Sequence, residues 1–482
     1  MNLAQHLNPV QLWGMAPDAG LEPLLSPKSV ALVGASPKQA SVGYVILENL
    51  LNRFKGVAYF VNPKYDTVEI AGRQVKFYKS LSEIPEPVDL VVIAVPAQVV
   101  PQVLEEAGKR GVKAAVIISS GFAEVGNKDL EDEVKAIGKM YGIRILGPNC
   151  LGVYNAFNGL DTVFLPTDRA GRPPAGPLAL ISQSGAVAAS IMDWAARRQI
   201  GLSIMVNYGN KADVDDVELL RYFGQDDRIK VITIYLEGFR YPREATGFLE
   251  VAKEVVKKKP IIAYKAGRTS AAQRAVRSHT AALAGSYEMY KGLFRQAGII
   301  EASNIREMFD MAKALASQPL PRGRRVLVLT DSGGMGIQAV DSLESLGLEV
   351  PEVPESIRRD LKRELLPFSA LGNPVDVTGS ATDQHYKVVL EALLPTAFFD
   401  MALVITLMQV PGLTQNLAEY IIDAKRFKKP IAVVNFGGSE LVQTFTKTLE
   451  EAEIPTYSTP DRAAKALWAL YEYAKIRRVV RT

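Results

Sequence analysis

At 482 residues the chain is too long for a single hydrophobic core, which sets an expectation of about three domains. Its 56 Lys and Arg almost balance 52 Asp and Glu, leaving a net charge of +4, and the bases are spread along the chain with their partners, so no nucleic-acid footprint is expected. One Cys excludes an internal disulfide and, with only three His, leaves too few soft ligands for a zinc site, so no metal site is expected and a reducing cytoplasm fits best.

The first 27 residues contain no Lys or Arg and no continuous apolar stretch, which argues against a signal or transit peptide. Apolar runs stay well below the ~18 residues of a membrane span, so no membrane association is expected. From Lys28 onward short β-branched runs alternate with helical patterns, the signature of parallel α/β sheets. Strands of a first, Rossmann-like block are expected at 29–33, 57–61, 90–95, 114–119 and 144–146, each running into a turn rich in Gly, Pro, Asn or Ser. The first turn, from Gly34 to Gly43, opens a helix, so its N–H groups and dipole can receive a phosphate. It lacks GxGxxG, and strand two ends in Asn62-Pro63-Lys64 where an NAD-binding fold usually carries an acid. A nicotinamide dehydrogenase is therefore disfavoured, and a phosphorylated adenosine near Lys64 fits better. The turns Val95-Pro96-Ala97, Ser119-Ser120-Gly121-Phe122 and Gly147-Pro148-Asn149-Cys150-Leu151-Gly152 would line the same crevice. Any one of them could be a plain βα turn, but five in one domain favour a site. Cys150 reads as a small buried hydrophobe rather than a nucleophile.

A Gly- and Pro-rich stretch at 159–177 leads to a second series, with strands expected at 178–181, 202–206, 231–236 and 260–264. After a linker at 318–323 comes a third, with strands at 325–329, 401–407 and 431–435 and helices at 336–346, 414–427 and 461–475. The run Ile181-Ser182-Gln183-Ser184-Gly185-Ala186-Val187 is echoed by Leu329-Thr330-Asp331-Ser332-Gly333-Gly334-Met335, and more weakly the region from Asn207 to Val214 by Gly372 to Val377. Two related flavodoxin-like domains with parallel sheets are expected after the Rossmann-like one. The expected division is an N-terminal extension at 1–25, then domains at 26–155, 156–318 and 319–482.

The chemistry centres on His279, in the run Arg277-Ser278-His279-Thr280-Ala281-Ala282-Leu283-Ala284-Gly285. Residues 265–285 hold Lys265, Arg268, Arg274 and Arg277 and no acid. An imidazole held in one tautomer is a competent nucleophile toward phosphorus, and nearby cations offset the charge it accepts, so transient phosphorylation of His279 is expected. Ser182-Gln183-Ser184-Gly185 and Ser332-Gly333-Gly334 each put hydroxyls and glycine at a helix start. Either alone could be simple capping; together they are expected to aim two helix starts at one phosphorylated imidazole. Glu237, ending a strand, could accept the Nδ1 proton and free Nε2 for attack, or could be no more than a turn acid.

These motifs, above all Gly147 to Gly152, Ser182 to Gly185 and Ser278-His279-Thr280 through Gly285, resemble the NDP-forming acyl-CoA synthetase superfamily, which includes succinyl-CoA synthetase. The resemblance is closest to α subunits of archaeal ADP-forming acetyl-CoA synthetases and covers the chain from about 26 to 475. It implies a reversible reaction in which acyl-CoA, ADP and phosphate give acid, CoA and ATP through an acyl phosphate and a phosphohistidine. It also implies coenzyme A contacts at Gly34, Ser36, Pro37, Ser41, Gly43, Asn62, Lys64, Pro96, Gly121 and Asn149, phosphate contacts at Ser182, Gln183, Ser184, Gly185, Ser332, Gly333 and Gly334, and His279 with Glu237 as the catalytic pair. Mg and ADP/ATP are expected on a separate ATP-grasp β subunit, in an α2β2 heterotetramer, with a small carboxylic acid and phosphate as further substrates. The competing readings are a non-catalytic CoA-sensing protein on the same scaffold, and a succinate-specific ligase. An acyltransferase would need a further domain for which no residues remain.

Overall fold

A computed structural model describes residues 20–279 and 286–479, with the backbone alone for 275–279 and for 479. The first sheet contains β1 (Ser29–Val33), β2 (Val57–Val61), β3 (Thr67–Ile70), β4 (Arg73–Tyr78), β5 (Leu90–Ile93), β6 (Ala114–Ile117) and β7 (Arg144–Leu146), in the order β3-β4-β2-β1-β5-β6-β7. Every neighbouring pair is parallel except the β3–β4 hairpin. Counting parallel strands alone, the order is the doubly wound 3-2-1-4-5-6, with its switch point between β1 and β5. Strands β5 and β6 are buried along their whole length, as the unbroken apolar runs Leu-Val-Val-Ile and Ala-Ala-Val-Ile require when helices cover both faces. Each fully buried Val, Leu or Ile there contributes roughly 1.5–3 kcal/mol.

The second sheet has β8 (Gly152–Asn155), β9 (Leu178–Ser182), β10 (Leu202–Asn207), β11 (Val231–Leu236), β12 (Ile261–Lys265) and β13 (Ile300–Glu301), in the order β13-β12-β11-β9-β10-β8. The third has β14 (Val326–Thr330), β15 (Ala370–Leu371), β16 (Val375–Asp376), β17 (Met401–Thr406), β18 (Ile431–Asn435) and β19 (Thr456–Tyr457), in the order β15-β16-β14-β17-β18-β19. Setting aside the edge strands β8 and β15, both follow the flavodoxin-like order 2-1-3-4-5. Each of those edge strands is antiparallel to strand two of its sheet. The edges are reached differently, because β8 precedes its sheet's first strand while β15 follows it. The internal echo read in the sequence thus corresponds to two sheets of one topology.

The chain folds as two compact units whose boundary passes through β9. Of the described residues, the first holds those up to Gly176, Ile181–Tyr222 and a short piece from Arg277; the second holds Pro177–Leu180, Phe223–Val276 and those from 286 onward. Within the first unit, the short helix Glu22–Leu25 docks on its own chain. Leu24 and Leu25 are fully buried, the Leu25 carbonyl accepts from Asn155 Nδ2 at 2.9 Å, and the Tyr222 hydroxyl donates to Glu22 at 2.6 Å.

The expected strands are present, with ends that differ by up to two residues. The helix expected at 336–346 starts earlier, at Gly333, and that at 414–427 is an α-helix over Leu417–Asp423 tightening to 3-10 geometry over Ala424–Phe427. Among the described residues no helix is long and apolar enough to cross a membrane.

Candidate functional site

The ten residues expected at coenzyme A all lie in the first unit, on the carboxyl edge of the first sheet. Hydrogen bonds join the turns of that edge into a row. Gly34 N–H donates to Val61 O at 3.1 Å, Ala94 N–H to Val33 O at 2.9 Å and Asn149 N–H to Ser119 O at 2.9 Å. Ser119 Oγ donates to Val95 O, and Asn62 Nδ2 to Ala35 O at 2.8 Å. The first turn has room for no side chain at two points: a Cβ on Gly34, at φ +94°, would sit 2.2 Å from Ala94 O, and one on Gly43 would sit 2.0 Å from Gly34 O. Ser41 caps the helix Val42–Arg53 by accepting from Tyr44 N–H at 3.2 Å. Lys64 stands exposed beside the edge, and Asn62 Oδ1 accepts from its N–H at 3.0 Å. The Gly121 N–H is already engaged, donating to Glu124 Oε1 at 2.6 Å, so Gly121 offers close approach rather than a free donor. Cys150 is buried, its thiol donating to Ile117 O at 3.3 Å, and burial pushes its pKa up; both disqualify it as a nucleophile.

Two helix starts share one local design. At the first, Ser182 Oγ donates to Ser184 O at 2.8 Å, ahead of the helix Gly185–Arg197. At the second, Thr330 Oγ1 donates to Ser332 O at 2.9 Å, ahead of the helix Gly333–Ser345. A hydroxyl at the end of strand one folds the chain back so that the next hydroxyl-bearing residue becomes the N-cap. The starts differ in electrostatics. Ser184 Oγ caps Val187 N–H at 3.3 Å, whereas Ser332 makes no side-chain cap, Gly333 and Gly334 are exposed, and a Cβ on Gly333 would lie 2.9 Å from Asp376 Oδ2. Asp331 is buried there, accepting from Leu407 N–H at 2.9 and 3.1 Å. The two starts belong to different compact units.

Glu237 directly follows β11 and is buried, 7% exposed. Beside it the Lys265 ammonium, 3% exposed at the end of β12, donates to Glu237 O at 2.8 Å and to Ala266 O, and lies 4.5 Å from the Tyr290 ring centroid. Arg268 pairs with Glu301 at 3.1 Å, donates to Ala302 O and stacks over Tyr264 and Tyr287. Two of the four cations read as phosphate partners therefore serve the fold, because their donors are turned to carbonyls and a carboxylate. The basic stretch is helical over Ser270–His279, with Arg274 exposed. The His279 side chain, the side chains of Arg277 and Ser278, and the rest of the motif at 280–285 lie outside the described residues. The convergence of both helix starts on one imidazole lies outside them too.

Comparison with known proteins follows the same three blocks. A CoA binding domain model matches residues 28–156, a succinyl-CoA ligase like flavodoxin domain model 175–315, and a ligase-CoA domain model 326–480. The α subunit of acetate–CoA ligase (ADP-forming) I of Pyrococcus furiosus is 44% identical over 94% of this chain and 98% of its own. The chain belongs to the NDP-forming acyl-CoA synthetase family. The acetate–CoA ligase (ADP-forming) of Methanocaldococcus jannaschii is 41% identical over 97% of this chain, which spans 65% of that protein. Among solved structures, a dinucleotide-forming acetyl-coenzyme A synthetase 1 of Ca. Korarchaeum cryptofilum, in complex with phosphate and ADP, superposes with a TM-score of 0.87 at 41% identity, covering 96% of this chain and 98% of that one.

Sequence reasoning gives no part to Glu124, Asn207, Asn210 or Lys211, whose side chains the fold engages in or beside these turns. In the sequence, Asn207, Asn210 and Lys211 stand out only as part of the internal echo. The signal is present in Asn207-Tyr208-Gly209-Asn210-Lys211, where one amide ends a strand and a second follows a glycine. Among the described residues no group of three or more His, Cys, Asp or Glu could hold a metal ion.

Proposed function

We propose that this chain is the α subunit of an ADP-forming acyl-CoA synthetase acting on small acyl-CoA thioesters, acetyl-CoA first among them. The observation that carries the reading is the correspondence with a ligase α subunit along nearly the whole of both chains. The glycine-lined edge of a 3-2-1-4-5-6 sheet supports coenzyme A binding there, and the hydroxyl-and-glycine helix starts support phosphate binding. Relatives named for 4-hydroxybutyrate and trans-feruloyl thioesters, at 36% and 32% identity, support assigning the choice of acid to local pocket residues rather than to the scaffold.

In the proposed sequence a phosphate oxygen attacks the thioester carbonyl carbon. The C–S bond breaks, and CoA leaves as the thiol with the proton that phosphate gives up. An imidazole nitrogen of His279 then attacks the phosphorus, the P–O bond to the acyl group breaks, and the carboxylate departs. Glu237 orients the ring and offsets imidazolium charge. Finally an ADP oxygen takes the phosphoryl group and the N–P bond breaks. Mg and ADP are assigned to an ATP-grasp β subunit in an α2β2 assembly, working in the cytoplasm. The division at 26–155, 156–318 and 319–482, after a leader at 1–25, remains the proposed domain scheme.

The test is to incubate the chain with acetyl-CoA and radiolabelled phosphate and to look for acid-labile label on the protein. Label is expected on the native chain and none on His279→Ala. A His279→Ala chain that still labels overturns the mechanism.

A further inference from the structure

The turn that leaves β10 touches the coenzyme A edge and the first phosphate-receiving helix start at once, all within the first unit. Asn207, 1% exposed, donates from Nδ2 to Ser182 O at 2.9 Å, while its Oδ1 accepts from Leu151 N–H at 2.6 Å. The backbone beyond it lies along the end of β7: Asn210 N–H donates to Pro148 O at 2.9 Å, Ala212 N–H to Gly147 O at 2.9 Å and Val214 N–H to Ile145 O at 3.1 Å. That approach requires Gly209, at φ +52°, where a Cβ would meet Asn149 O at 2.1 Å. The Asn210 side chain then reaches the edge itself. Its Oδ1 accepts from Asn149 Nδ2 at 3.3 Å, and its Nδ2 donates to Glu124 Oε2 at 2.5 Å and to Glu131 Oε2 at 2.9 Å. Glu124 completes the path by accepting from Gly121 N–H at 2.6 Å and Phe122 N–H at 3.2 Å. Beneath the turn, Lys211 Nζ pairs with Asp216 at 2.6 Å and the Tyr208 hydroxyl donates to the same carboxylate at 2.6 Å, all three residues being buried.

A continuous polar path therefore runs from Gly121 through Glu124 and Asn210, along one short turn, to Asn207 and Ser182. Such a path matters for this chemistry, because attack of phosphate on a thioester needs the reacting atoms about 3–3.5 Å apart, and a misplacement of about 1 Å can cost a hundredfold in rate. We propose that Glu124, Asn207 and Asn210 are positioning residues that couple the coenzyme A edge to the Ser182–Gly185 helix start, so that occupancy of one raises the affinity of the other. This rests on the reading that coenzyme A and phosphate bind at those two places.

Titration calorimetry on the full chain tests it, measuring CoA Kd with and without saturating inorganic phosphate. The native chain is expected to bind CoA roughly fivefold or more tightly with phosphate present. In Asn210→Ala, and in Glu124→Gln, whose amide keeps an acceptor for Gly121 but turns its NH2 against that of Asn210, that ratio is expected to fall to about one. Native-like thermal unfolding of the isosteric Glu124→Gln variant would show that it folds. A merely structural role would weaken CoA equally with and without phosphate, so a ratio preserved in both variants overturns the proposal. So does a ratio of one in the native chain. A native chain that binds no CoA at all overturns instead the functional reading beneath it.

Discussion

The Lys265 ammonium donates to the main-chain carbonyl of Glu237 at 2.8 Å, tying the end of β12 to the turn that carries the proposed histidine partner. Burial pulls Lys265 down to about 8, against the attraction of the Glu237 charge, which favours the ammonium. Its unfolded value is 10.5, so between about 8 and 10.5 the unfolded chain binds more protons and stability rises with pH across that window. Below the window both states carry the charge and the desolvation penalty is felt in full. Lys265→Met is expected to lose this rise. Chemical denaturation of both proteins at pH 7.5 and pH 10 checks it, and equal slopes with pH would remove Lys265 as their source.

Arg144 closes a second cluster, on the first unit. Its guanidinium meets Asp213 at 2.9 and 3.3 Å and Glu218 at 2.6 and 2.7 Å, while Asp213 also accepts from Ile145 N–H at 2.9 Å. Removing the cation leaves two half-buried carboxylates facing each other. Breaking a buried pair typically costs about 3–5 kcal/mol and an exposed one about 0–1, so Arg144→Met is expected to lose roughly 2–3 kcal/mol. The urea midpoint reads this directly, and a loss no larger than a surface pair's would mean that solvent already screens the cluster.

Much of this architecture is legible in the sequence because its strands are unbroken apolar runs bounded by turn residues. Val231–Leu236 and Ile431–Asn435 need no tertiary information. The hairpin of Thr67–Ile70 and Arg73–Tyr78 escapes such a reading because it carries Glu69, Gln74 and Lys76 on one exposed face and an exposed Arg73 on the other, and Ala370–Leu371 because two residues make no pattern. In the candidate site, glycines and prolines at strand ends mark the edge proposed to bind coenzyme A. Partnerships do not announce themselves: Arg268 reads as a phosphate cation until Glu301, 33 residues away in the chain, is seen to take it. Glu124 and Asn210 likewise acquire meaning only once folding brings 86 residues of separation down to a hydrogen bond.

Gly43 and Gly292 predict opposite outcomes for the same substitution. A Cβ at Gly43 meets the Gly34 carbonyl at 2.0 Å, backbone against backbone, so Gly43→Ala must push the first turn off β1. Overpacking of this kind costs about 1–3 kcal/mol, and CoA affinity is expected to fall more than about tenfold by the same displacement. Gly292 sits in the helix Tyr287–Ala297, where an added Cβ would meet nothing within 4 Å, so Gly292→Ala is expected to stabilise by about 0.5–1 kcal/mol and leave CoA binding alone. Calorimetry and thermal unfolding on the two variants would separate a packed turn from a tolerant helix.

Asp331, at the second helix start, is a carboxylate that burial pushes up to about 6 from 3.8, with the charge of Asp376 adding to the rise and hydrogen bonds led by Leu407 N–H opposing it. Here the sign is the reverse of the lysine. Between about 3.8 and 6 the folded chain binds more protons than the unfolded one, so this group's contribution to stability falls as pH rises through the window and stays low above it. Asp331→Asn imitates the protonated side chain and keeps an acceptor for Leu407 N–H. It is expected to gain about 1–2 kcal/mol at pH 7.5, with the gain shrinking toward pH 4. Denaturant midpoints at the two pH values decide the matter. A variant that loses stability equally at both would mean that hydrogen bonds, not burial, set the state of this carboxylate, and that the second helix start carries a fixed negative charge against any phosphate.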